Sequence, residues 1–298
     1  MRNAFLRALQ EEAGRDARVC LIVGDLGFSV VEPFREAFPH RFLNAGIAAG
    51  WAMAAGATVF TYSIANFPTL RCLEQVRNDV AYHEANVKIV SVGGGVAYGP
   101  AGYTHHALED VAVMRAMPHM TVIVPADLAE AQAACRLAVS TPGPFYIRLG
   151  KNGEPAIHPG AVELTLGRAF VLRDGHDATL LALGPLVSEA LRAAERLAAA
   201  DGLSVRVLSM PSVRPLDRDA ILAAAAATRV LVTSEEHTLH GGFGSAVAED
   251  LAESPHRPRF RRLGISVPPV RLGSQQHLWR ELGLDAEAMV SVVRELVR

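Results

Sequence analysis

Short apolar runs alternate with helix-like stretches along the whole chain. In the first half, the spacing of apolar residues predicts helices over Leu73–Ala85 and Leu128–Val139, the second with Asp127 as its N-cap. The apolar runs between such stretches predict strands at Val19–Val23, Thr58–Tyr62, Val87–Val92, Thr121–Val124 and Phe145–Arg148. Alternation of this kind is typical of α/β folds with mainly parallel sheets.

The second half repeats the alternation after Gly150–Thr165, a loop-like stretch rich in Gly and Pro that marks a domain boundary. The predicted strands there are Ala178–Leu183, Ser204–Ser209, Arg229–Thr233 and Phe260–Leu263, and the predicted helices are Val187–Ala200, Asp217–Ala227, Gly244–Ala252 and Asp285–Leu296. We therefore predict two consecutive doubly wound α/β domains, residues 1–155 and 156–298, each with a mainly parallel sheet.

The stretch Phe42–Leu70 contains no charged residue and is long enough to cross a bilayer. However, Gly46, Gly50, Gly56 and Pro68 interrupt it, whereas a membrane span is more uniformly apolar. We predict a buried helix followed by a buried strand, with no membrane contact. So large an apolar region also predicts a subunit interface.

Composition and charge narrow the class of protein. Hydrophobic residues make up 50% and charged residues 20% of the chain, which predicts full cores rather than disorder. The net charge of −2, with no basic block, argues against nucleic acid as a partner. Cys20, Cys72 and Cys135 cannot all pair and lack metal-ligand spacing. Together with a charged amphipathic start instead of a signal peptide, they predict a soluble cytoplasmic protein.

Two glycine-containing turns follow predicted strands, at the sheet edge where open α/β sheets bind ligands. Asp25, in Gly24–Gly27, is either a turn residue or a ligand contact. The run Gly93–Gly95 allows a ligand to approach the backbone closely. Neither turn matches a dinucleotide or Walker motif, so no nucleotide is predicted.

His105 and His106, with Glu109 and Asp110 just beyond, form a cluster of potential metal ligands. Adjacent histidines do not usually bind one ion from the same face, and no third ligand is placed by spacing. The pattern therefore favours a polar site histidine over a metal centre.

A second cluster, Glu235–His237 followed by His240, lies at the end of the predicted strand that contains Arg229–Thr233. Residues of these types could act in chemistry, cap a helix or bridge subunits. The sequence pattern alone leaves the three interpretations open.

Taken together, the motifs resemble the carboxyl-terminal half of transketolase-like thiamine diphosphate enzymes. The resemblance covers nearly the whole chain in family order, through GDLG (24–27), PHRFLNAGIA (39–48), TYSIANFPTLRCLEQVRNDV (61–80), GGGVAYGPAGYTHHALED (93–110), VPADLAEA (124–131), GPFYIRLGKNGEP (143–155), TSEEHTLHGGFGSAVAE (233–249) and LGSQQHLWRELGLDAEAM (272–289). It implies a pyrimidine-binding domain, a transketolase carboxyl-terminal domain, and transfer of a two-carbon ketol unit between sugar phosphates or related carbonyl substrates.

The family's diphosphate-binding domain has no counterpart here, since no GDG motif with a downstream Asn is present to hold Mg²⁺ and diphosphate. The resemblance therefore implies a split enzyme. An amino-terminal transketolase subunit would hold the Mg²⁺ of thiamine diphosphate, and homo-dimerisation would give a heterotetramer. The chain alone would be inactive, and no metal ligand is expected within it.

The resemblance also assigns roles to individual residues. Phe67, in ANFPTLR, resembles the aromatic residue that packs on the cofactor's pyrimidine ring. Asp25 and Leu26 resemble the pair that supports the cofactor's bent conformation, and Ile47 is a further cofactor contact. His105, in THH, resembles the histidine that contacts the substrate's oxygens.

Four residues match positions that contact the phosphate end of sugar-phosphate substrates in the family. Arg2, Ser29 and Lys151 are the main candidates, and Arg71 is a weaker one. Lys151 replaces what is often Arg, which keeps the charge but loses the bidentate fork.

Two departures from the family pattern concern the chemistry directly. The family reads GIAEQNMVG(V/I)AAG, whereas this chain reads GIAAG at 46–50, so the Glu that bonds the pyrimidine ring is absent between Ala48 and Ala49. No acidic residue occurs between Glu36 and Glu74. Ala101 stands where many relatives carry Asp. Either the sequence is altered at this point or the subunit has lost this proton chemistry.

Three functions follow. The carboxyl-terminal subunit of a split transketolase is favoured by SIANFPTLRCLEQVRND and GPAGYTHH. A β-subunit of a 2-oxo acid dehydrogenase shares the two-domain layout and the EEH…GGFG region. A non-catalytic partner subunit is the third alternative, because the Glu segment is missing.

Overall fold

The computed structural model describes residues 1–23, 30–44 and 57–298. Their strands are β1 Val19–Val23, β2 Phe42–Asn44, β3 Thr58–Ile64, β4 Val87–Val92, β5 Thr121–Ile123, β6 Phe145–Leu149, β7 Phe170–Arg173, β8 Ala178–Ala182, β9 Val205–Ser209, β10 Ser212–Arg214, β11 Val230–Thr238 and β12 Arg259–Ile265. They form a seven-stranded sheet in the order β10-β5-β6-β4-β3-β1-β2 and a five-stranded sheet in the order β12-β11-β8-β9-β7.

Helices connect these strands and cover the sheets. The α-helices are α1 Arg2–Arg15, α2 Glu32–Ala37, α3 Leu73–Gln75, α4 Asp110–Ala116, α5 Leu128–Ser140, α6 Val187–Asp201, α7 Arg218–Ala227, α8 Phe243–Ala252, α9 Gln275–Glu281 and α10 Ala286–Val297. Short 3₁₀ turns lie at Pro39–Arg41, Gly99–Ala101, Tyr103–His105 and Gly184–Leu186. The fold is α/β, as predicted.

Both sheets are mainly parallel. Between the strands of the described residues, antiparallel pairing is confined to two edge strands, β10 against β5 and β7 against β9. The predicted bounds of β1 and β4 match the structure, and β11 is longer than predicted because it continues through Glu235–His237.

The predicted N-cap Asp127 is present in the structure, and Asp217 and Asp285, which the sequence predicts as the first residues of their helices, also act as N-caps. The side chains of Asp127, Asp217 and Asp285 accept a hydrogen bond from the backbone N–H three residues later. Each bond satisfies one of the donors left free at a helix start. Helix α5 therefore begins as predicted, and α7 and α10 begin one residue later than predicted.

The predicted helix Leu73–Ala85 differs from the structure in type and in start. Wider π-helical turns cover Phe67–Arg71 and Val76–Ala81, on either side of the short α3. Pro68 has no N–H, and the Thr69 hydroxyl instead donates to the Ala65 carbonyl at 2.9 Å. The chain therefore becomes helical six residues earlier than predicted. A π-helical turn does not have the 3.6-residue apolar spacing from which the helix was predicted.

The two halves of the chain share both a sheet and a core. Strand β10 comes from the second half and extends the sheet of the first half through β5. The same apolar cluster contains Met114 and Val122 from the first half and Leu181, Leu208 and Phe243 from the second. The boundary near residue 155 stays a prediction, and the two halves are joined closely through this sheet and this core.

Part of the uncharged stretch Phe42–Leu70 is described. It contributes β2 and β3, and the side chains of Val59 and Phe60 are fully buried. The helix predicted between these strands falls on residues 45–56, outside the described residues. No helix in the described part of the chain is long and apolar enough to span a membrane. All three cysteines are free thiols.

Candidate active site

Four parallel strands, β1, β3, β4 and β6, end at one edge of the first sheet. Phe67 follows β3, a glycine-rich loop with Tyr98 and His105 follows β4, and Lys151 follows β6. The turn after β1 holds Asp25, Leu26 and Ser29 and lies outside the described residues, as do Ile47 and the Ala48–Ala49 junction.

Phe67 and His105 are in direct contact. Their ring centroids are 5.4 Å apart and their planes meet at 62°. A hydrogen bond beside the pair holds the two segments together, because the side-chain amide of Asn66 donates to the backbone carbonyl of Thr104 at 2.7 Å. The Thr104 hydroxyl lies 3.0 Å from Nδ1 of His105. An aromatic ring and an imidazole, both half-buried, therefore face the same space at the sheet edge.

Tyr98 connects the pair to two cations. Its ring centroid lies 6.3 Å from that of His105, and the Lys151 ammonium lies 4.6 Å from the Tyr98 centroid. Burial raises the pKa of the Tyr98 phenol, and the nearby charge of Arg2 opposes this shift. The same two causes act on Tyr62, whose pKa is also raised. Arg2 and Lys151 therefore both bring positive charge near Tyr98.

A third cation lies over the Phe67 ring. The Arg71 guanidinium carbon is 4.7 Å from the Phe67 centroid. The predicted residues Arg2, Phe67, Arg71, His105 and Lys151 therefore converge. Sequence reasoning missed Tyr98 and Asn66, although Tyr98 lies within the GGGVAYG string, where its aromatic character could have suggested a role.

The glycine run after β4 has a use that the sequence did not predict. A Cβ at Gly93, whose φ is +77°, would lie 2.1 Å from the Tyr98 ring. A Cβ at Gly94 or Gly95 would meet the side chain of Arg148 or Glu236, at 2.5 and 2.3 Å. In the described geometry these glycines make room for the protein's own side chains, and the approach of a ligand to this backbone stays a prediction.

The acidic residues beyond His105 and His106 are engaged elsewhere. Glu109 accepts from the Tyr103 hydroxyl at 2.9 Å, and Asp110 pairs with Nε of Arg148 at 2.7 Å. Among the described residues, no group of three His, Cys, Asp or Glu side chains has the arrangement to hold a metal ion.

The Glu235–His237 cluster caps a helix and joins the two sheets. Glu235 accepts from the backbone N–H groups of Phe243 and Gly244, both at 2.7 Å, at the start of α8. Glu236 accepts from the backbone N–H of Val96 in the glycine-rich loop at 2.8 Å. His240 is exposed. Of the three interpretations left open by the sequence, capping is what Glu235 does.

An α/β chain with an aromatic residue, an imidazole and several cations at the carboxyl ends of parallel strands has the architecture of a ligand-binding α/β enzyme subunit. Comparison with protein families narrows this class. Residues 1–154 match the transketolase pyrimidine-binding domain, and residues 167–289 match the transketolase carboxyl-terminal domain. The chain belongs to the transketolase family and has the make-up of the carboxyl-terminal subunit of a split transketolase.

Similar proteins match over nearly their full length. A subunit of the apulose-4-phosphate transketolase of Phocaeicola vulgatus is 37% identical over 307 residues, covering 100% of this chain and 97% of the relative. The 6-deoxy-6-sulfo-D-fructose transketolase subunit SqwH of a Clostridium species is also 37% identical, covering 99% of this chain and 94% of the relative. These relatives favour transketolase over the dehydrogenase alternative.

The fold comparison agrees. A solved split-gene transketolase, described as an inactive β4 tetramer, superposes with a TM-score of 0.89 at 36% identity, over 99% of this chain and 97% of that one. A transketolase from Leishmania mexicana, at 22% identity, shares the fold with a TM-score of 0.78, over 99% of this chain and 45% of that one.

The family implies thiamine diphosphate as the cofactor, and the described residues fit one part of it. The half-buried Phe67 ring, backed by Arg71, offers an aromatic surface for a heteroaromatic ring at the sheet edge. The carboxylate that would bond that ring has no counterpart between Glu36 and Glu74 in the sequence.

Proposed function

We propose that this chain and an amino-terminal transketolase subunit form a two-chain transketolase. The complex binds thiamine diphosphate between the chains and transfers a two-carbon ketol unit between sugar phosphates or related carbonyl compounds. The convergence of Phe67 and His105 with Arg2 and Lys151 at one sheet edge carries this proposal.

Each group at this edge has a distinct task. The cofactor supplies the carbanion chemistry, and the chain binds and orients the reacting molecules. Phe67 packs on the pyrimidine ring, and the His105 imidazole donates to substrate oxygens. Lys151 and Arg2 attract the phosphate end, with Arg71 as a further cation.

Family position alone supports the remaining contacts. In this proposal Asp25, Leu26 and Ile47 contact the cofactor, and Ser29 bonds the substrate phosphate. The partner subunit holds Mg²⁺ and the diphosphate group. The uncharged stretch Phe42–Leu70 lies at the interface of a heterotetramer, which we place in the cytoplasm.

Co-expression with an amino-terminal transketolase subunit from the same source tests the main proposal. We expect ketol transfer and Mg²⁺-dependent binding of thiamine diphosphate in the complex, and neither in the isolated chain. Tight Mg²⁺-dependent titration of the isolated chain would contradict the shared site. A well-folded monomer by sedimentation at micromolar concentration would contradict the interface at Phe42–Leu70.

A non-catalytic subunit is the second candidate, and the absence of an acidic residue between Glu36 and Glu74 favours it. The test compares the present sequence with a version that carries EQNMVGVA after Ala48, each in complex with the partner. We measure deuterium exchange at the thiazolium carbon of added thiamine diphosphate. Faster exchange in the longer version, by about 10²–10⁴-fold, supports a lost proton function. Equal rates show that another group does this work.

A further inference from the structure

The loop that carries His105 is closed by a short antiparallel bridge. Gly95 and Ala107 exchange two backbone hydrogen bonds, at 3.0 and 2.9 Å. We call this pair the neck of the loop, because the chain enters and leaves the loop through it. Tyr98 and His105 both lie beyond this neck. The position of the His105 imidazole therefore depends on how the neck is held.

A carboxylate from the other half of the chain holds the beginning of the neck. Glu236, in β11 of the second sheet, is 2% exposed, and its Oε1 accepts from the Val96 N–H at 2.8 Å. The Gln275 amide donates to the two Glu236 oxygens at 3.0 and 2.9 Å. Gly95 is the residue that admits this carboxylate, because a Cβ there would collide with Glu236.

Arg148 holds the end of the same neck. Its Nη2 donates to the carbonyl of Ala107 at 2.8 Å and to the carbonyl of Glu236 at 2.9 Å. Its Nε donates to Asp110 at 2.7 Å. The two ends of the neck are thus held by Glu236 and Arg148, and these two residues are hydrogen-bonded to each other. Glu236 belongs to the second half of the chain.

The buried charges of Glu236 and Arg148 are costly to remove from water, which points to a role beyond stability. Burial raises the pKa of Glu236, and the nearby Arg148 charge opposes this shift. Replacing a buried ion pair with apolar side chains is often neutral or stabilising, so a network of this kind is weak evidence for stability alone. The bonds that this network makes to the loop do restrain its geometry, because they hold the backbone N–H of Val96 and the carbonyl of Ala107 at fixed positions.

We infer that Glu236 is a positioning residue for His105. The Glu236 carboxylate comes from the second half of the chain and holds the neck through Val96. It thereby determines where the His105 imidazole lies. The expected effect of Glu236 on kcat rests on the proposed transketolase function. Its expected effect on the position of the His105 ring does not.

Glu236→Gln is the test variant. The amide introduced there can still accept from the Val96 N–H through its oxygen, with the Gln275 amide turned to accept from the new N–H group, but the negative charge that strengthens these bonds is lost. Combining Glu236→Gln with Gln275→Glu returns one carboxylate to this pair of side chains. Gln275→Met, at a half-buried position, is a milder second variant that removes only the support of the carboxylate.

Glu235→Gln is the matched control. Glu235 is the neighbouring residue, it is also buried, and its bonds go to the start of α8 instead of the loop. It reports the cost of neutralising a buried carboxylate in the same strand.

The first readout is the ring ¹H–¹⁵N correlation of His105 in the full chain, assigned with His105→Asn. We expect the signal to move in Glu236→Gln and Gln275→Met, to return in the double variant, and to stay in place in Glu235→Gln. The second readout uses the two-chain enzyme. There, Glu236→Gln lowers kcat by about 10- to 100-fold with little change in KM, because a small misplacement of a catalytic group is costly.

An unmoved His105 signal in both Glu236→Gln and Gln275→Met would overturn the inference, as would an equal movement in Glu235→Gln. Absence of ketol transfer in every version, including the unchanged chain, would overturn the proposed function, and the histidine signal would still decide the role of Glu236.

Discussion

The ring of Phe67 meets the imidazole of His105 at an angle of 62°, with 5.4 Å between centroids. The Asn66–Thr104 hydrogen bond beside them spans 38 positions of the chain. This pair joins the turn after β3 to the loop after β4. In the proposed function, it brings the ring that packs on the cofactor next to the imidazole that bonds substrate oxygens.

We expect His105→Asn to lower kcat of the two-chain enzyme by about 10²-fold, the usual effect of removing one donor from a site where charge develops. His83→Asn is the control, because His83 makes an edge-to-face contact with the exposed Tyr82 and none with Phe67 is described. Steady-state kinetics of the two variants decide the point. Equal activity of both would remove His105 from the site.

We expect Phe67→Leu to weaken thiamine diphosphate binding to the complex by about 3- to 10-fold, since aromatic contacts contribute about 0.5–1.5 kcal/mol beyond the area that they bury. Phe38→Leu is a matched control, because an arginine guanidinium, that of Arg41, also covers the Phe38 ring. Calorimetric titration measures both. An affinity loss of the same size in the control would assign the effect to general packing.

Lys151→Met removes a positive charge beside Tyr98 and keeps the length of the side chain. We expect KM for a phosphorylated substrate to rise about 10- to 100-fold, the cost of one charged hydrogen bond, while KM for an unphosphorylated analogue stays the same. Lys151→Arg preserves the charge and should retain most of the affinity. A uniform rise in KM for both substrates argues against phosphate recognition.

His158 makes the stability of the chain depend on pH. Nε2 of His158 lies 3.0 Å from Oε1 of the buried Glu130, and this hydrogen bond raises the pKa of the imidazole. A raised pKa stabilises the folded state fully below the unfolded value near 6.5, and this stabilisation is lost as pH rises through the folded pKa.

His158→Gln should therefore flatten the dependence of the free energy of unfolding on pH from about 6.5 upward. Urea titrations from that pH into the mildly alkaline range measure it. His176→Gln, at an exposed position, leaves the Glu130 contact intact and controls for losing a histidine. A wild-type slope in His158→Gln would show that the contact carries no linked proton.

Lys88 acts in the opposite sense. Burial lowers the pKa of its ammonium from 10.5 to about 7, although Nζ donates to the carbonyls of Thr141 and Gly143 at 2.7 and 2.6 Å. Between these two pKa values the unfolded chain binds more protons, so this group makes stability rise with pH. Lys88→Met should lose that rise when unfolding is followed by urea at pH values across the window. A slope unchanged from the natural chain would mean that Lys88 stays protonated throughout.

Elements with a strong local pattern were predictable from the sequence. Strands β1 and β4 are continuous apolar runs between polar turns, and Asp127 precedes its helix as caps do. Strand β10 was not predicted because Ser212–Arg214 is short and has no apolar pattern. Its partner, β5, lies almost a hundred positions earlier, and local spacing contains no information on such a pairing.

The site shows the same division. Family motifs indicated Phe67 and His105, and the structure brings them together. The contacts of Tyr98 and Glu236 join segments that are distant in the chain, and no spacing rule connects them. The glycines after β4 were visible as glycines, but which side chains they admit became clear only in three dimensions.

The pairing of β10 with β5 has a consequence for any division of this chain into two pieces. A gene break between residues 155 and 167 would leave the edge of β5 unpaired on one product and strand β10 without a sheet on the other. Two pieces cut at this point would therefore have to associate before the first sheet of this chain could regain its seventh strand.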